Sequence, residues 1–346
     1  MSSDCLIHSP LSPPAAELYA DNDVLGTGPL ELNIVAVEDL TPRIRQFTLR
    51  SPHGGQLPPW TPGAHILVPV ELENGHATRH YSLLGDCDAR DVYEIAVLRL
   101  DDGNGGSRRI HQTYCAGTRL RCELPSNHFE LENGDAPCVL IAGGIGITPL
   151  RSMAIALTKR GTPFVLHYAA RSPRETAFMR DIGDRFGTKV NFWHSTGPHP
   201  NRIDVNGILG AAPRASRVYV CGPESLVQAV IESGERHGMP RANIRHELFS
   251  PVSGLSRDHA FEVELTREGK VIHVPASQSI LDAVLAAGIT AEFGCCAGQC
   301  GTCAVTVVEG EVDHRDTVLS EEQRTVERRA CICVSRAMGP RLVIDL

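Results

Sequence analysis

The stretch FGCCAGQCGTC, residues 293–303, places four thiols within nine positions. Among them Cys295, Cys300 and Cys303 have the spacing C-x4-C-x2-C, and Cys333, in ACICVSRA, follows after 29 intervening residues. That is the ligand run of a plant-type 2Fe–2S cluster. Thiolates suit iron because they are soft anionic donors. A short loop carrying three of them wraps one iron and turns backbone N–H groups toward the sulfurs. Gly294, Gly298 and Gly301 supply the tight backbone that such wrapping needs.

Other metals fit this pattern less well. A structural zinc site could use Cys300-x2-Cys303 with Cys331-x-Cys333, but the usual second C-x2-C is absent. A Rieske centre needs histidine ligands, and no C-x-H occurs. Cys296 and Cys331 fall out of register and are read as non-ligands. Cys5, Cys87, Cys115, Cys122 and Cys138 stand singly and read as small buried apolar residues.

At 346 residues the chain exceeds what one core usually organises, so two or three domains are expected. No run approaches 18 consecutive apolar residues, which argues against a membrane helix. The N-terminus lacks the basic-then-apolar plan of a secretory signal and reads as a Pro/Ser-rich extension, residues 1–29, expected to be disordered. Twelve cysteines without such a signal point to the reducing cytoplasm. The net charge is −8 with no Lys/Arg run, so nucleic acid is not an expected partner.

Residues 30–135 alternate like short strands (ELNIVAV, RQFTL, HILVPVEL, YEIAVLRL, TRLRCELP) between turn residues, which predicts an antiparallel β-barrel. From 136 to 250 strands alternate with helices, the rhythm of an α/β domain with an open, mostly parallel sheet. One of its helices is expected near Arg174 to Arg185. Residues 251–258 read as a linker. Residues 259–346 open with a hairpin turning at Glu268–Gly269–Lys270, then a short helix over SILDAVLAAGI, then the cysteine loop. The fold class is therefore multidomain: a barrel, an α/β domain and a small β-rich domain at the end.

Three further motifs carry chemistry. Arg79-His80-Tyr81-Ser82 offers a cation, an aromatic wall and a hydroxyl to a planar flavin, although an Arg and a Tyr on one strand are as readily surface packing. Gly105-Gly106-Ser107 is a loop whose N–H groups suit a phosphate. Gly143-Gly144-Ile145-Gly146-Ile147-Thr148-Pro149 follows a buried strand and opens a helix, with Thr148 as its expected N-cap and Pro149 in its first turn. A proline stands where the third glycine of the dinucleotide fingerprint would fall, so a generic Gly-rich turn remains the alternative. Cys221-Gly222-Pro223 ends another strand, where the alternative is a buried structural cysteine.

The collinear order RHYS, GGS, LPSNHFEL, GGIGITPL, CGP and the cysteine run resembles the phthalate dioxygenase reductase family. The tail, with GEVDHRDTVLS, CVSRA and LVIDL, is similar as well, and the resemblance spans about Leu30 to Leu346. It implies an FMN barrel, an NADH domain and an α+β plant-type ferredoxin domain of β-grasp type in a monomeric oxidoreductase. Arg79, His80, Tyr81, Ser82, Gly105, Gly106 and Ser107 would hold FMN, with Ser82 near the ring. Gly143, Gly144, Gly146, Thr148, Cys221, Gly222 and Pro223 would receive NADH. Ser82, Cys221 and Phe249, an aromatic that shields the flavin, would be the catalytic group. Cys295, Cys300, Cys303 and Cys333 would ligate the cluster.

Asn104 stands where the family often has an arginine, so Arg99 or Arg108 would have to supply that charge, and FMN rather than FAD rests on the likeness alone. Arg171, Ser172 and Arg174 lie where a 2′-phosphate would sit, or are surface charges at a helix start. The implied electron chain runs from NADH through the flavin, which accepts two electrons and releases them singly. Its acceptor would be a Rieske-type non-haem iron oxygenase that hydroxylates or O-demethylates aromatics. A cytochrome P450 or another monooxygenase is the alternative, and a redox sensor with an inactive reductase part is the alternative of another class. Residues 257–346 carry nine Lys/Arg against fourteen Asp/Glu, a net −5, which suits a partner with a basic docking patch.

Overall fold

The computed structural model describes residues 24–72, 75–101, 105–197, 199–249, 259–276, 278–294, 297–298 and 300–346. Two compact units make it up. One takes the chain up to Pro59 together with His65–Pro125, the other Trp60–Ala64 together with Ser126–Leu346.

In the first unit β1 (Val24–Leu25), β2 (Leu30–Thr41), β3 (Ile44–Arg50), β6 (Tyr93–Leu98) and β7 (Arg119–Cys122) form one sheet in the order β1-β7-β2-β3-β6. A second, two-stranded sheet pairs β4 (His65–Leu72) with β5 (Gly75–Ser82). It packs on β7 and β6 and closes a barrel. The period-two pattern explains why. Leu32 and Ile34, Phe47 and Leu49, Ile66 and Val68, and Tyr93, Ile95 and Val97 turn to one side and are all buried. β1 lengthens this sheet ahead of Leu30 by pairing in parallel with β7. The Gly105–Ser107 stretch, expected as a loop, instead opens helix α1 (Gly106–Thr113), since Gly105 takes the left-handed N-cap conformation at φ +79°.

The second unit holds a five-stranded sheet and a ferredoxin-like part. The sheet contains β8 (Cys138–Gly143), β9 (Phe164–Ala170), β10 (Val190–His194), β11 (Arg217–Cys221) and β12 (Ile244–Glu247), and every neighbouring pair is parallel. Helices α2 (Ile147–Arg160) and α3 (Met179–Phe186) pack on one face; α4 (Val205–Ala211) and α5 (Glu224–Arg236) pack on the other. Both faces are covered, which is why CVLIAG is apolar throughout. The helix expected from Arg174 starts only at Met179. Pro173–Glu175 form a single 3₁₀ turn, Thr176 Oγ1 donates to the Ser172 carbonyl, and Phe178 sits at φ +59°, which breaks helical continuity.

The ferredoxin-like part orders β13 (Phe261–Leu265), β14 (Lys270–Val274), β15 (Ala304–Glu309), β17 (Arg329–Cys331) and β19 (Arg341–Ile344) as β14-β13-β19-β15-β17. A small sheet pairs β16 (Val312–Asp313) with β18 (Arg336–Ala337). Helix α6 (Ile280–Ala286) buries Ile280, Leu281 and Val284 against this sheet and starts in a capping box from Ser279 to Asp282. A second capping box, Ser320 with Gln323, begins α7 (Glu321–Thr325). The hairpin turns where expected, with Gly269 at φ +61°.

Cys122 and Cys138 are buried, as their apolar reading requires, but Cys87 and Cys115 are only half-buried. Both lie outside the strands, where little sheet packing covers them. Cys5, the linker 251–258 and Asn104 lie outside the described residues, as does residues 1–23 of the extension. Among the described residues no helix is long and apolar enough to cross a membrane.

Candidate functional site

The flavin motif occupies β5, where Ser82 faces His65, Tyr81 faces Ile66, His80 faces Leu67 and Arg79 faces Val68 on β4. Ser82 is buried, and the His65 and His80 rings lie 4.9 Å apart. Burial raises the Tyr81 phenol well above its ordinary value, against the opposing pull of Arg79, so it stays neutral. The Arg79 guanidinium comes to the first turn of α1. A Cβ on Gly106 would fall 2.8 Å from Arg79 Nε. No side chain caps that helix, and Ser107 Oγ accepts the Leu100 N–H at 3.0 Å, leaving its own proton to donate. A cation beside an uncapped helix start fits a phosphate.

In the second unit the strand order, numbered within the sheet, is 3-2-1-4-5. The order reverses between β8 and β11, and in such sheets ligands bind at the carboxyl ends of the strands at that point. Gly143–Gly146 leaves the end of β8, and Cys221–Pro223 the end of β11. The two loops are in close contact. A Cβ on Gly146 would fall 2.1 Å from the Cys221 carbonyl oxygen, and one on Gly222 would fall 2.9 Å from Gly143 Cα. Gly146 and Gly222 therefore serve the approach of the loops to each other. Gly144 has open space at its Cβ position and a φ of +56°, so it alone is glycine for its backbone angle.

Thr148 is not the N-cap. α2 begins at Ile147 directly after a 3₁₀ turn, and the Thr148 hydroxyl donates to the Ile145 carbonyl at 3.0 Å instead of accepting a helix N–H. Pro149 keeps its place in the first turn, where no N–H is needed. Cys221 is fully buried, and that burial, reinforced by Glu247, pushes its thiol far up, so it is a neutral apolar group. Phe249 follows the end of β12 and is exposed. Arg171 and Arg174 are exposed at the carboxyl end of β9, with Ser172 half-buried between them.

Glu247 was not singled out by the sequence, although it stands two residues before Phe249 in HELFS. It pairs with Cys221 across β11 and β12, its Oε2 is enclosed without a hydrogen-bond donor, and burial raises its carboxyl to about 8. An unfolded glutamate loses its proton near 4.5, so folding stability falls as pH rises from 4.5 to about 8 and is flat above. Glu247→Gln removes this dependence. Its melting temperature relative to the native chain should rise across that window, with a gain of about 3 kcal/mol at pH 7. Parallel pH–stability curves for the two would contradict the buried-carboxyl account.

The cysteine loop lies between α6 and β15. Gly298 and Gly301 take φ of +71° and +75°, and a Cβ on Gly294 would fall 2.9 Å from Cys300 Sγ. Cys303 is hydrogen-bonded by Cys331 first and Cys333 second, and this holds its thiol well below the usual range, toward the thiolate that iron requires. The Ile332 N–H donates to the Cys303 carbonyl, tying the loop to the end of β17, which carries Cys331, and the turn after it, which carries Cys333. Cys300, Cys303, Cys331 and Cys333 thus converge, and Cys331, read as a non-ligand, is separated from Cys333 only by the spacing. Cys295 lies outside the described residues. Soft thiolates in a glycine-lined loop fit an iron–sulfur cluster.

A barrel with a phosphate-binding motif, a dinucleotide-type sheet and a thiolate loop define an iron–sulfur flavoprotein reductase. Residues 263–338 match the family described as 2Fe-2S iron-sulfur cluster binding domain. The chain is 36% identical to vanillate O-demethylase oxidoreductase of Acinetobacter baylyi, over 92% of this chain and 99% of that one. It is 35% identical to phthalate dioxygenase reductase of Burkholderia cepacia, over 92% and 98%. The solved structure of phthalate dioxygenase reductase superposes with a TM-score of 0.76 at 34% identity, covering 92% of this chain and 98% of that one. The chain belongs to the phthalate dioxygenase reductase family. It is an oxidoreductase whose cofactors are FMN, NADH and a 2Fe–2S cluster.

Proposed function

We propose that this chain supplies electrons from NADH to a separate Rieske-type non-haem iron oxygenase that hydroxylates or O-demethylates an aromatic compound. The observation that carries the reading is the strand-order reversal between β8 and β11, which brings the GGIG and CGP loops together in the unit that also holds the cysteine loop. The named relatives are, by name, the oxidoreductase of a vanillate O-demethylase and the reductase of a phthalate dioxygenase. Held by the barrel's residues, a flavin would supply the conversion of a two-electron hydride donor into single-electron delivery. The domains are 30–135 for FMN, 136–250 for NADH and 259–346 for the cluster, joined by 251–258. The chain works as a cytoplasmic monomer, apart from membrane and nucleic acid.

In this reading Arg79, with the Gly105, Gly106 and Ser107 backbone, holds the flavin phosphate. His80, Tyr81 and Ser82 line its ring. Gly143, Gly144, Gly146, Thr148, Gly222 and Pro223 receive the dinucleotide. Cys221 would give the nicotinamide a neutral, water-free neighbour, and Phe249 would shield the flavin ring and have to move for the nicotinamide to stack. Cys295, Cys300, Cys303 and Cys333 ligate the cluster. Arg79→Ala should weaken FMN binding to the apoprotein about 10- to 100-fold, as expected when one charge-assisted contact is lost. A fluorescence titration giving an unchanged Kd would remove Arg79 from the site.

The function is tested by mixing the purified chain with NADH and the oxygenase component of a vanillate O-demethylase. NADH-dependent demethylation requiring both proteins is expected. If cytochrome c is reduced but no aromatic Rieske oxygenase turns over, the partner assignment fails and the reductase chemistry stands.

A further inference from the structure

The carboxylate of Asp316 is fully enclosed at the junction of the segments that carry the cysteines. Its Oδ2 accepts the Leu319 N–H at 3.0 Å and Arg324 Nη2 at 3.1 Å. Its Oδ1 accepts from Ser335 Oγ at 3.5 Å, with His314 Nδ1 3.6 Å away. Ser335 stands two residues beyond Cys333. The backbone of the same segment grips the other half of the ligand set. The Thr317 N–H donates to the Gly298 carbonyl at 2.9 Å, and Gly298 lies between Cys295 and Cys300. The approach leaves no room for a side chain, since a Cβ on Gly298 would fall 2.9 Å from Asp316 Cα and 2.7 Å from a Val334 methyl.

We propose that Asp316 is a positioning residue of the iron–sulfur site, locking the three-cysteine loop against the Cys333 segment and fixing a negative charge beside the metal. The proposal rests on Cys295, Cys300, Cys303 and Cys333 being the ligands. A buried carboxylate is an expensive way to join two loops if geometry is all that is required, because an apolar contact avoids its desolvation. Arg324 offsets the charge in part, but its side chain is 30% exposed and its field is screened by water. The remaining negative charge disfavours adding an electron to a cluster that is itself anionic, so it lowers the reduction potential.

The two roles separate in two variants of the full-length holoprotein. Asp316→Asn keeps the shape and an oxygen for the Leu319 N–H, and the Ser335 hydroxyl can turn to accept from its amide. It should retain full iron and acid-labile sulfide, while its midpoint in a redox titration followed by electron paramagnetic resonance shifts to more positive potential. Asp316→Ala removes every tie made by the carboxylate, leaving only the backbone bond from Thr317 to Gly298, and should release iron to a chelator severalfold faster than the native chain, with flavin content unchanged. A fully loaded Asp316→Asn protein with the native midpoint would overturn the electrostatic role. Native iron-release kinetics in Asp316→Ala would overturn the positioning role. Should Asp316→Ala fail to accumulate, the asparagine variant decides alone. A native chain without a reduced-cluster signal would overturn the ligand assignment, and this proposal with it.

Discussion

Replacing Cys300 by alanine is expected to abolish the 2Fe–2S cluster while leaving NADH able to reduce the flavin. Cys300 stands in the loop that closes on Cys303, with the Gly294 backbone packed against its sulfur. Removing one of four thiolates deprives one iron of a donor. The visible absorption of the cluster and its reduced-state resonance should disappear. Cytochrome c reduction should fall on the order of 100-fold or more, since single-electron delivery passes through the cluster. Bleaching of the flavin by NADH, measured by stopped flow, should keep its rate within about twofold, because hydride transfer precedes the cluster. If cytochrome c reduction survived intact, the flavin would be its direct donor and the cluster would not be on the electron path.

Gly146→Ala should be the most damaging small substitution in the nucleotide domain. Its φ is −61°, a value any residue adopts, so the cost is purely steric. The new methyl would lie 2.1 Å from the Cys221 carbonyl oxygen and 2.9 Å from the Gly222 nitrogen, both backbone atoms that cannot swing away. The CGP loop must shift, at an expected cost of about 2–3 kcal/mol in stability. Since that loop borders the site, the KM for NADH should rise at least about tenfold, as a displacement of an ångström in a binding loop commonly costs. Gly144→Ala is the control. It meets open space and is strained only by its positive φ, for about 1 kcal/mol. Equal effects from the two would show that backbone conformation, rather than the contact between loops, is what the glycines provide.

These contrasts mark what the chain reveals before folding. The cluster loop was legible because its chemistry lies in local spacing, which a linear sequence preserves. The strand and helix rhythm of the α/β region was legible because both faces of its sheet are covered, leaving unbroken apolar runs such as CVLIAG. Helix α1 was not, because Gly105 and Gly106 read as a loop until the left-handed turn at Gly105 is seen. Thr148 has the right residue type for an N-cap, but the 3₁₀ turn before it starts the helix too early for it to act as one. Glu247 and Asp316 escaped for a common reason. Each is an acidic residue in a polar-looking segment, and only tertiary packing encloses it. The choice between Cys331 and Cys333 shows the opposite limit: folding brings both thiols to Cys303, and spacing is what distinguishes them.

The most direct test of the account is an anaerobic titration of the purified protein with NADH, followed by absorption and by electron paramagnetic resonance on the same samples. The account predicts that the flavin bleaches and that a rhombic signal of a reduced 2Fe–2S cluster grows with it, approaching one spin per chain. Flavin bleaching without any such signal, in protein whose metal analysis finds zinc or no iron, would contradict it.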